Sequence, residues 1–539
     1  MKKYSILQKI ALLLILLIPV CGFSQEDSVK FRVKQTDFYF ILADGVRLEC
    51  TEFVPEGMSP VNGWPAMVFC HGYGGNKGNE QEYAKQLAEY GYYTLAYSMR
   101  GQGKSGGLSN LISTLEMRDF IELVGFIKKD RPVNPSLVGA TGGSQGGTIP
   151  FMAACNGLDL ACIISDVASP EFATSWMENN SPKMTLLWTL SYDTTVVRYN
   201  NRVKRMRDWI LSDDPQYWDS LAFYVPLERD FMDRVSSCNT PIMISTAWQD
   251  KFFNTRGMIK AGHLLKSPFR MYYGTFDAHG ADPYEPEMKY QENITGYWLN
   301  YWMGGIQNGV LDSIQYVYAP SVYPINESKP PAMWTWYRMY SYSWPPRGSN
   351  DVKFYFHDNG KLSTSSGNGN ELQFNNDVSD ITLLQAANYE FKGNEFEAKF
   401  KKIELIFETE PLNKQITMAG TPSVNLNYIC DAISAQYNFQ IWEVHPDNTT
   451  KLVTRINYTD RKIKPGEYKT ASFDGLSHSH IFQQGSKIRI VITNLDNTKD
   501  DRFLRTNPHV LPVVTKSSGK IKIEGSSSTY LTLPLVDFK

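Results

Sequence analysis

Residues 140–148 read ATGGSQGGT, a serine set between two glycine pairs at the end of the apolar run SLVGA. A solvated linker would account for the glycines, but not for their place between a buried-strand pattern and a helical one. Gly142, Ser144 and Gly146 instead form G-x-S-x-G at a strand-to-helix junction, where a sharp turn lifts the serine into a cleft. Glycines two before and two after the serine permit the turn and let strand and helix pass where a Cβ would clash. A serine hydroxyl is a poor nucleophile at neutral pH, so it needs a base beside it and donors for the oxyanion that forms. The backbone N–H of Gln145, at the start of the following helix, is the first such donor.

Working outward, residues 29 to about 305 alternate short apolar runs with helical ones, the pattern of a parallel sheet covered by helices. Asp44-Gly45 joins two opening strands as a hairpin, WPAMVFC (64–70) and YYTLAYS (92–98) read as buried strands, and EQEYAKQLAEYG (80–91) is an amphipathic helix stopped by Gly91. Between Ser169 and Cys238 the rhythm breaks into aromatic-rich helical spacing with no obvious strand, which predicts a helical cap. After about Gly309 the chain turns to strands separated by Asn, Gly and Ser, the signature of an all-β sandwich. The expected organisation is therefore a signal segment at 1–24, an α/β catalytic domain at 25–310 with its cap at about 169–238, and a β-sandwich at 311–539.

An acid after a later strand and a histidine after the last one should follow the serine, in that order. Asp250 in PIMISTAWQD and His279 in MYYGTFDAHG each stand just beyond an apolar strand. Asp277 competes as the acid but lies two residues from His279, in the same loop. Of the other histidines in this half, His263 sits within a helical segment and His71 follows an earlier strand, which leaves His279 as the base. A second oxyanion donor is expected from the loop His71-Gly72-Tyr73-Gly74-Gly75, where Tyr73 can donate through its backbone N–H or its phenol. The alternative is a tight turn with a packed tyrosine.

The 539-residue chain is 42% hydrophobic with a net charge of -2, which gives no reason to expect nucleic acid as a partner. MKKYSILQK followed by IALLLILLIPV reads as a secretory signal cleaved after Ser24, and its eleven-residue apolar core is too short for a stable membrane span. Val20 disfavours lipidation at Cys21. Export to the periplasm or beyond is expected, with a mature charge of -5. Six cysteines remain without metal-like spacing; most are expected in the core, with one disulfide left open. No cofactor or metal is expected, and the His478 and His480 pair in LSHSHIF lacks acidic neighbours in sequence.

Taken together, GGSQGG, MRGQGKSGG (99–107), SWPP (343–346) followed by FYFHDNGKLS, and the ordered segments EPLNKQITMAGTP, WEVHPD and HIFQQGSKIRIVIT resemble the X-prolyl dipeptidyl aminopeptidase and cocaine esterase family of α/β-hydrolases. The resemblance covers nearly all of the mature chain. It implies an α/β-hydrolase sheet with a cap insertion, followed by a jelly-roll sandwich. It also implies Ser144 as nucleophile, Asp250 as acid, His279 as base, and Tyr73 with Gln145 at the oxyanion hole. The chain departs from the family in carrying Ser98, where an aspartate usually stands two residues before Arg100.

Acyl transfer of this kind serves esters, amides and short peptides alike. A dipeptidyl peptidase would also hold the substrate ammonium, for which Asp166 and Glu171 are the nearest carboxylates. Ser169-Pro170-Glu171 equally reads as a helix start, with Ser169 as cap and an acid at the positive end of the dipole. Trp176 and the other cap aromatics either line an acyl pocket or form core. Three classes are consistent with the sequence: a serine hydrolase of esters or amides, a strict X-prolyl aminopeptidase requiring a free amine, and a noncatalytic glycan-binding protein on a hydrolase shell. The oligomeric state is left open.

Overall fold

The computed structural model describes residues 30–184, 195–212, 214–248, 250, 252–275, 285–311, 315–323, 325–326, 333–367, 369–379, 381–388, 399–500, 505–525 and 528–538. The expected signal segment and Cys21 lie outside them.

The opening hairpin forms as expected. Strand β1 (Val33–Ile41) pairs antiparallel with β2 (Arg47–Pro55) across a turn in which Gly45 has φ +82°. Then follow β3 (Trp64–Cys70), β4 (Tyr93–Tyr97), β5 (Val133–Gly143), β6 (Ile163–Asp166), β7 (Ile242–Ala247), β8 (Phe269–Gly274), β9 (Tyr316–Tyr318) and β10 (Met339–Ser341). They make one sheet in the order β1-β2-β4-β3-β5-β6-β7-β8-β9-β10, parallel from β4 through β9 and antiparallel at both edges. The last two strands thus come from residues beyond 310, the segment expected to open the sandwich.

Helices cover both faces, so the central strands are apolar on both sides. Met67 and Phe69 of β3 pack with α1 (Gln81–Ala88) and α8 (Glu285–Trp302), through Leu87 and Trp298. Ala66 and Val68, one residue out of step, face α2 (Thr114–Asp130), α3 (Gln145–Cys155) and α7 (Thr255–Leu264), through Phe120, Ile149 and Met258. Helix α2 starts on a capping box, with Ser113 accepting from the Leu115 N–H while Glu116 accepts from the Ser113 N–H.

The segment between β6 and β7 holds α4 (Phe172–Trp176), α5 (Asn201–Ser212) and α6 (Pro215–Arg229). It is not purely helical. Met177–Glu178 pairs with Ser181–Pro182 through Asn179 and Asn180, both at positive φ, a hairpin too short to leave an alternating pattern in the sequence. This hairpin enters the C-terminal region, where Asn179 Nδ2 donates to the carbonyls of Asn457 (2.9 Å) and Asp474 (2.8 Å).

The C-terminal region is a sandwich of an eleven-stranded and a four-stranded sheet, the smaller one made of Glu404–Glu408, Lys487–Thr493, Ala435–Val444 and Thr450–Asp460. Phe356, Phe439, Ile490 and Leu533 fill its core. Short strand Ser321–Val322 pairs with His478–Phe482 and so ties the chain leaving β9 to the sandwich. Cys50, Cys70, Cys155, Cys162, Cys238 and Cys430 are buried and free, so the disulfide left open by the sequence is not formed.

Candidate active site

Ser144 stands between β5 and α3 with φ 57° and ψ -121°, a left-handed conformation that a residue with a side chain seldom adopts. The neighbouring backbone holds it there. Its N–H donates to the Asp166 carbonyl at 2.8 Å, and its own carbonyl accepts from Gly147 (3.1 Å) and Thr148 (2.9 Å). The glycines are required by space: a Cβ on Gly142 would stand 2.3 Å from the Cys70 carbonyl oxygen, and one on Gly147 would stand 2.6 Å from Ser165 Oγ. Gln145 opens helix α3, so its N–H is among the first four, which no intrahelical carbonyl accepts.

The HGYGG loop passes directly over this turn, close enough that a Cβ on Gly72 would lie 3.9 Å from Ser144 Cβ. Tyr73 is half-buried beside this strand-to-helix elbow at Ser144 and stacks on Tyr199 of the segment before α5, centroids 6.4 Å apart. Two further residues brace the loop, His71, set aside above as a base, and Gln102. His71 is fully buried, accepting from the Met99 N–H at Nε2 (2.9 Å), with Nδ1 2.7 Å from the Gly72 carbonyl. Those partners place its proton on Nδ1, and burial pushes its pKa down to about 4, so it is a neutral strut. Gln102 accepts from the Gly74 N–H (2.8 Å) and donates to Gln145 Oε1 (3.3 Å), joining the loop to the helix that carries the elbow. Its only sequence signal was its place in MRGQGKSGG.

Asp250 is buried just past β7, and its Oδ1 accepts from the N–H groups of Phe252 (2.7 Å) and Phe253 (2.8 Å). Two backbone donors on one oxygen fix the direction of the carboxylate. His279 and Asp277 lie outside the described residues. Of the other two histidines in this half, His71 is committed as above and His263 Nε2 bonds the Trp344 carbonyl at 2.7 Å.

Asp166 ends β6 opposite Gly143, next to the elbow, with its carboxylate buried and accepting from Ser245 Oγ at 2.5 Å. Glu171 is engaged elsewhere: it accepts from Lys260 Nζ at 2.7 Å and from Thr174 Oγ1. Helix α4 does begin beside it, but Glu171 and not Ser169 is the N-cap residue and makes no side-chain cap. Asp230 Oδ1 takes the Phe172 N–H (2.6 Å) and the Ala173 N–H (3.3 Å) instead. Trp176 is core, 1% exposed, edge-on to Phe172 at 4.8 Å and beneath the Arg229 guanidinium at 5.6 Å. In place of the aspartate usual in the family, Ser98 Oγ donates to Glu49 (3.1 Å) and accepts from the Lys77 N–H (3.0 Å), while Arg100 forks onto Asp119 at 2.7 and 2.6 Å. Among the described residues no group of three His, Cys, Asp or Glu side chains could hold a metal.

The family description X-Pro dipeptidyl-peptidase (S15 family) matches residues 44–274, and X-Pro dipeptidyl-peptidase C-terminal non-catalytic domain matches residues 318–518. A Rhodopirellula baltica protein provisionally named a Xaa-Pro dipeptidyl-peptidase is 22% identical over 407 residues, covering 67% of this chain and 58% of its own. A 31.7 kDa Escherichia coli protein of the traX-finO intergenic region is 29% identical over 155 residues, covering 28% of this chain and 52% of its own. The chain spans just over half the length of the curated relatives it matches. A CocE/NonD family hydrolase from Staphylococcus aureus shares the fold, with a TM-score of 0.71 and 13% identity over 94% of both chains.

Proposed function

The chain belongs to the X-Pro dipeptidyl-peptidase family, and on that premise we propose that it is an exported serine hydrolase cleaving small esters, amides or short peptides with Ser144, His279 and Asp250. Ser144 Oγ attacks the acyl carbon as its proton passes to His279. The tetrahedral oxyanion is held by the Gln145 N–H and a donor of Tyr73. Collapse breaks the bond to the leaving group, which takes the proton from His279, and water then repeats the sequence to release the acid. Asp250 orients His279 and offsets its positive charge. The observation that carries this reading is the strained backbone of Ser144 at the mouth of α3, since such strain persists where the surroundings over-determine it.

Ser144→Ala is expected to abolish turnover of p-nitrophenyl acetate and labelling by a fluorophosphonate. Labelling that persists in that variant removes Ser144 from the role. The narrower reading, a strict X-prolyl aminopeptidase, is favoured by the buried carboxylate of Asp166 beside the elbow. It predicts release of p-nitroaniline from Ala-Pro-p-nitroanilide and none once the amine is acetylated. Cleavage of both at equal rates excludes it.

A further inference from the structure

Beyond the Ser144 site, the sandwich holds a continuous line of buried polar side chains. Glu443 Oε2 meets His480 Nε2 at 3.0 Å, His480 Nδ1 meets Ser321 Oγ at 2.7 Å, and Ser321 Oγ meets His478 Nε2 at 3.0 Å. All four residues are at most 1% exposed. Burial pushes the Glu443 carboxyl up, but the hydrogen bonds from His480 and the Gln483 N–H outweigh it, and the group stays below its ordinary range. The carboxylate can only accept, so the proton of that bond sits on His480 Nε2. In a neutral ring Nδ1 then accepts from the Ser321 hydroxyl, whose oxygen accepts from His478 Nε2–H. The two histidines lie two apart on one strand and so point to one face, which is why LSHSHIF resembled a metal pair in sequence.

The line ends on the loop that carries Asp250. The His478 ring packs on Trp248, centroids 5.6 Å apart, and Trp248 stands two residues before Asp250. The Trp248 indole donates to the Ala319 carbonyl at 2.7 Å, two residues from Ser321. At the other end of the loop, Thr255 Oγ1 donates to the Ser477 carbonyl at 2.7 Å. Adjacent residues of one sandwich strand entrance, Ser477 and His478, therefore grip both ends of segment 248–255.

We propose that Ser321, His478, His480 and Glu443 are positioning residues for Asp250, acting through Trp248, so that the sandwich sets the geometry of the catalytic acid. The inference rests on the assignment of Asp250 made above. A side chain that misaligns a reacting group by about 1 Å can cost roughly 100-fold in rate without touching substrate.

The test is kcat and KM for p-nitrophenyl acetate in Ser321→Ala, which breaks the line, and His478→Phe, which keeps a ring on Trp248 but removes the donor. Each is expected to lower kcat about 10- to 100-fold with KM within about twofold. Each is then combined with Asp250→Asn. Residues acting through one group are non-additive, so neither should lower the rate of the Asp250→Asn enzyme further. Unchanged kcat in both single variants, or an equal loss in the Asp250→Asn background, overturns the proposal. If Ser321→Ala does not fold, His478→Phe carries the same comparison. An Asp250→Asn enzyme with wild-type kcat would instead overturn the acid assignment, and the positioning role with it.

Discussion

Gly146 of helix α3 packs so tightly on Cys70 that a Cβ on the glycine would stand 2.0 Å from the Cys70 carbonyl oxygen. Cys70 is the last residue of β3 and leads directly into the HGYGG loop, so this contact sets the spacing between Ser144 and that loop. Gly146→Ala forces backbone apart at a place with no flexible side chain to yield. It is expected to destabilise the protein by about 3 kcal/mol or more, read by denaturant unfolding. Wild-type stability would show that the junction relaxes.

Gln102 bridges the HGYGG loop and helix α3 through Gly74 and Gln145. Gln102→Ala leaves the Gly74 N–H without that acceptor and the loop less firmly placed. About 1 kcal/mol of stability should be lost, with a drop in kcat for p-nitrophenyl acetate of about tenfold and little change in KM. A change in KM alone would place Gln102 in ground-state binding.

Glu80 precedes α1, is 7% exposed, and burial raises its pKa to about 7. Because the folded pKa lies above the unfolded one, near 4.5, the protonated form is favoured in the folded protein. The unfolded state releases this proton first, so the group's contribution to stability falls as pH rises between about 4.5 and 7. Glu80→Gln is expected to stabilise the protein by up to about 3 kcal/mol at pH 8 and hardly at all at pH 4, compared by unfolding at both pH values. An equal effect at both would remove the titration argument.

Trp176 and Glu171 were both sequence candidates for substrate binding, and their surroundings separate stability from recognition. Trp176→Ala removes a fully buried indole and should cost about 3–5 kcal/mol. Glu171→Gln gives up an ion pair to the partly exposed Lys260, worth under about 1 kcal/mol, and should leave KM for Ala-Pro-p-nitroanilide unchanged. Asp166→Asn should raise that KM if the substrate amine is bound at the elbow. A raised KM in Glu171→Gln with none in Asp166→Asn would reverse the two roles.

Much of this architecture is legible in the sequence. The elbow, the β1–β2 hairpin, the alternation of buried strands and helices, and the change to a sandwich all follow from short-range patterns. Two of the misreadings arise from distance along the chain and one from the brevity of its strands. Ser169 looked like the cap of α4, but the acceptor is Asp230, 58 residues from Phe172. The 177–182 hairpin left no pattern because its strands are two residues each. His478 and His480 looked isolated because Glu443 and Ser321 lie on other strands.

The sequence by itself determined where backbone sterics leave no choice. Glycines must flank Ser144 because only they allow that turn, and side-chain periodicity declares which segments are strands. Tertiary structure alone decided which side chains face one another. It put Gln102 against the HGYGG loop, Trp176 in the core and the sandwich histidines against the Asp250 loop. Conformational limits act within a few residues, whereas contacts between distant side chains depend on how whole elements pack, and that information resides in no single stretch of chain.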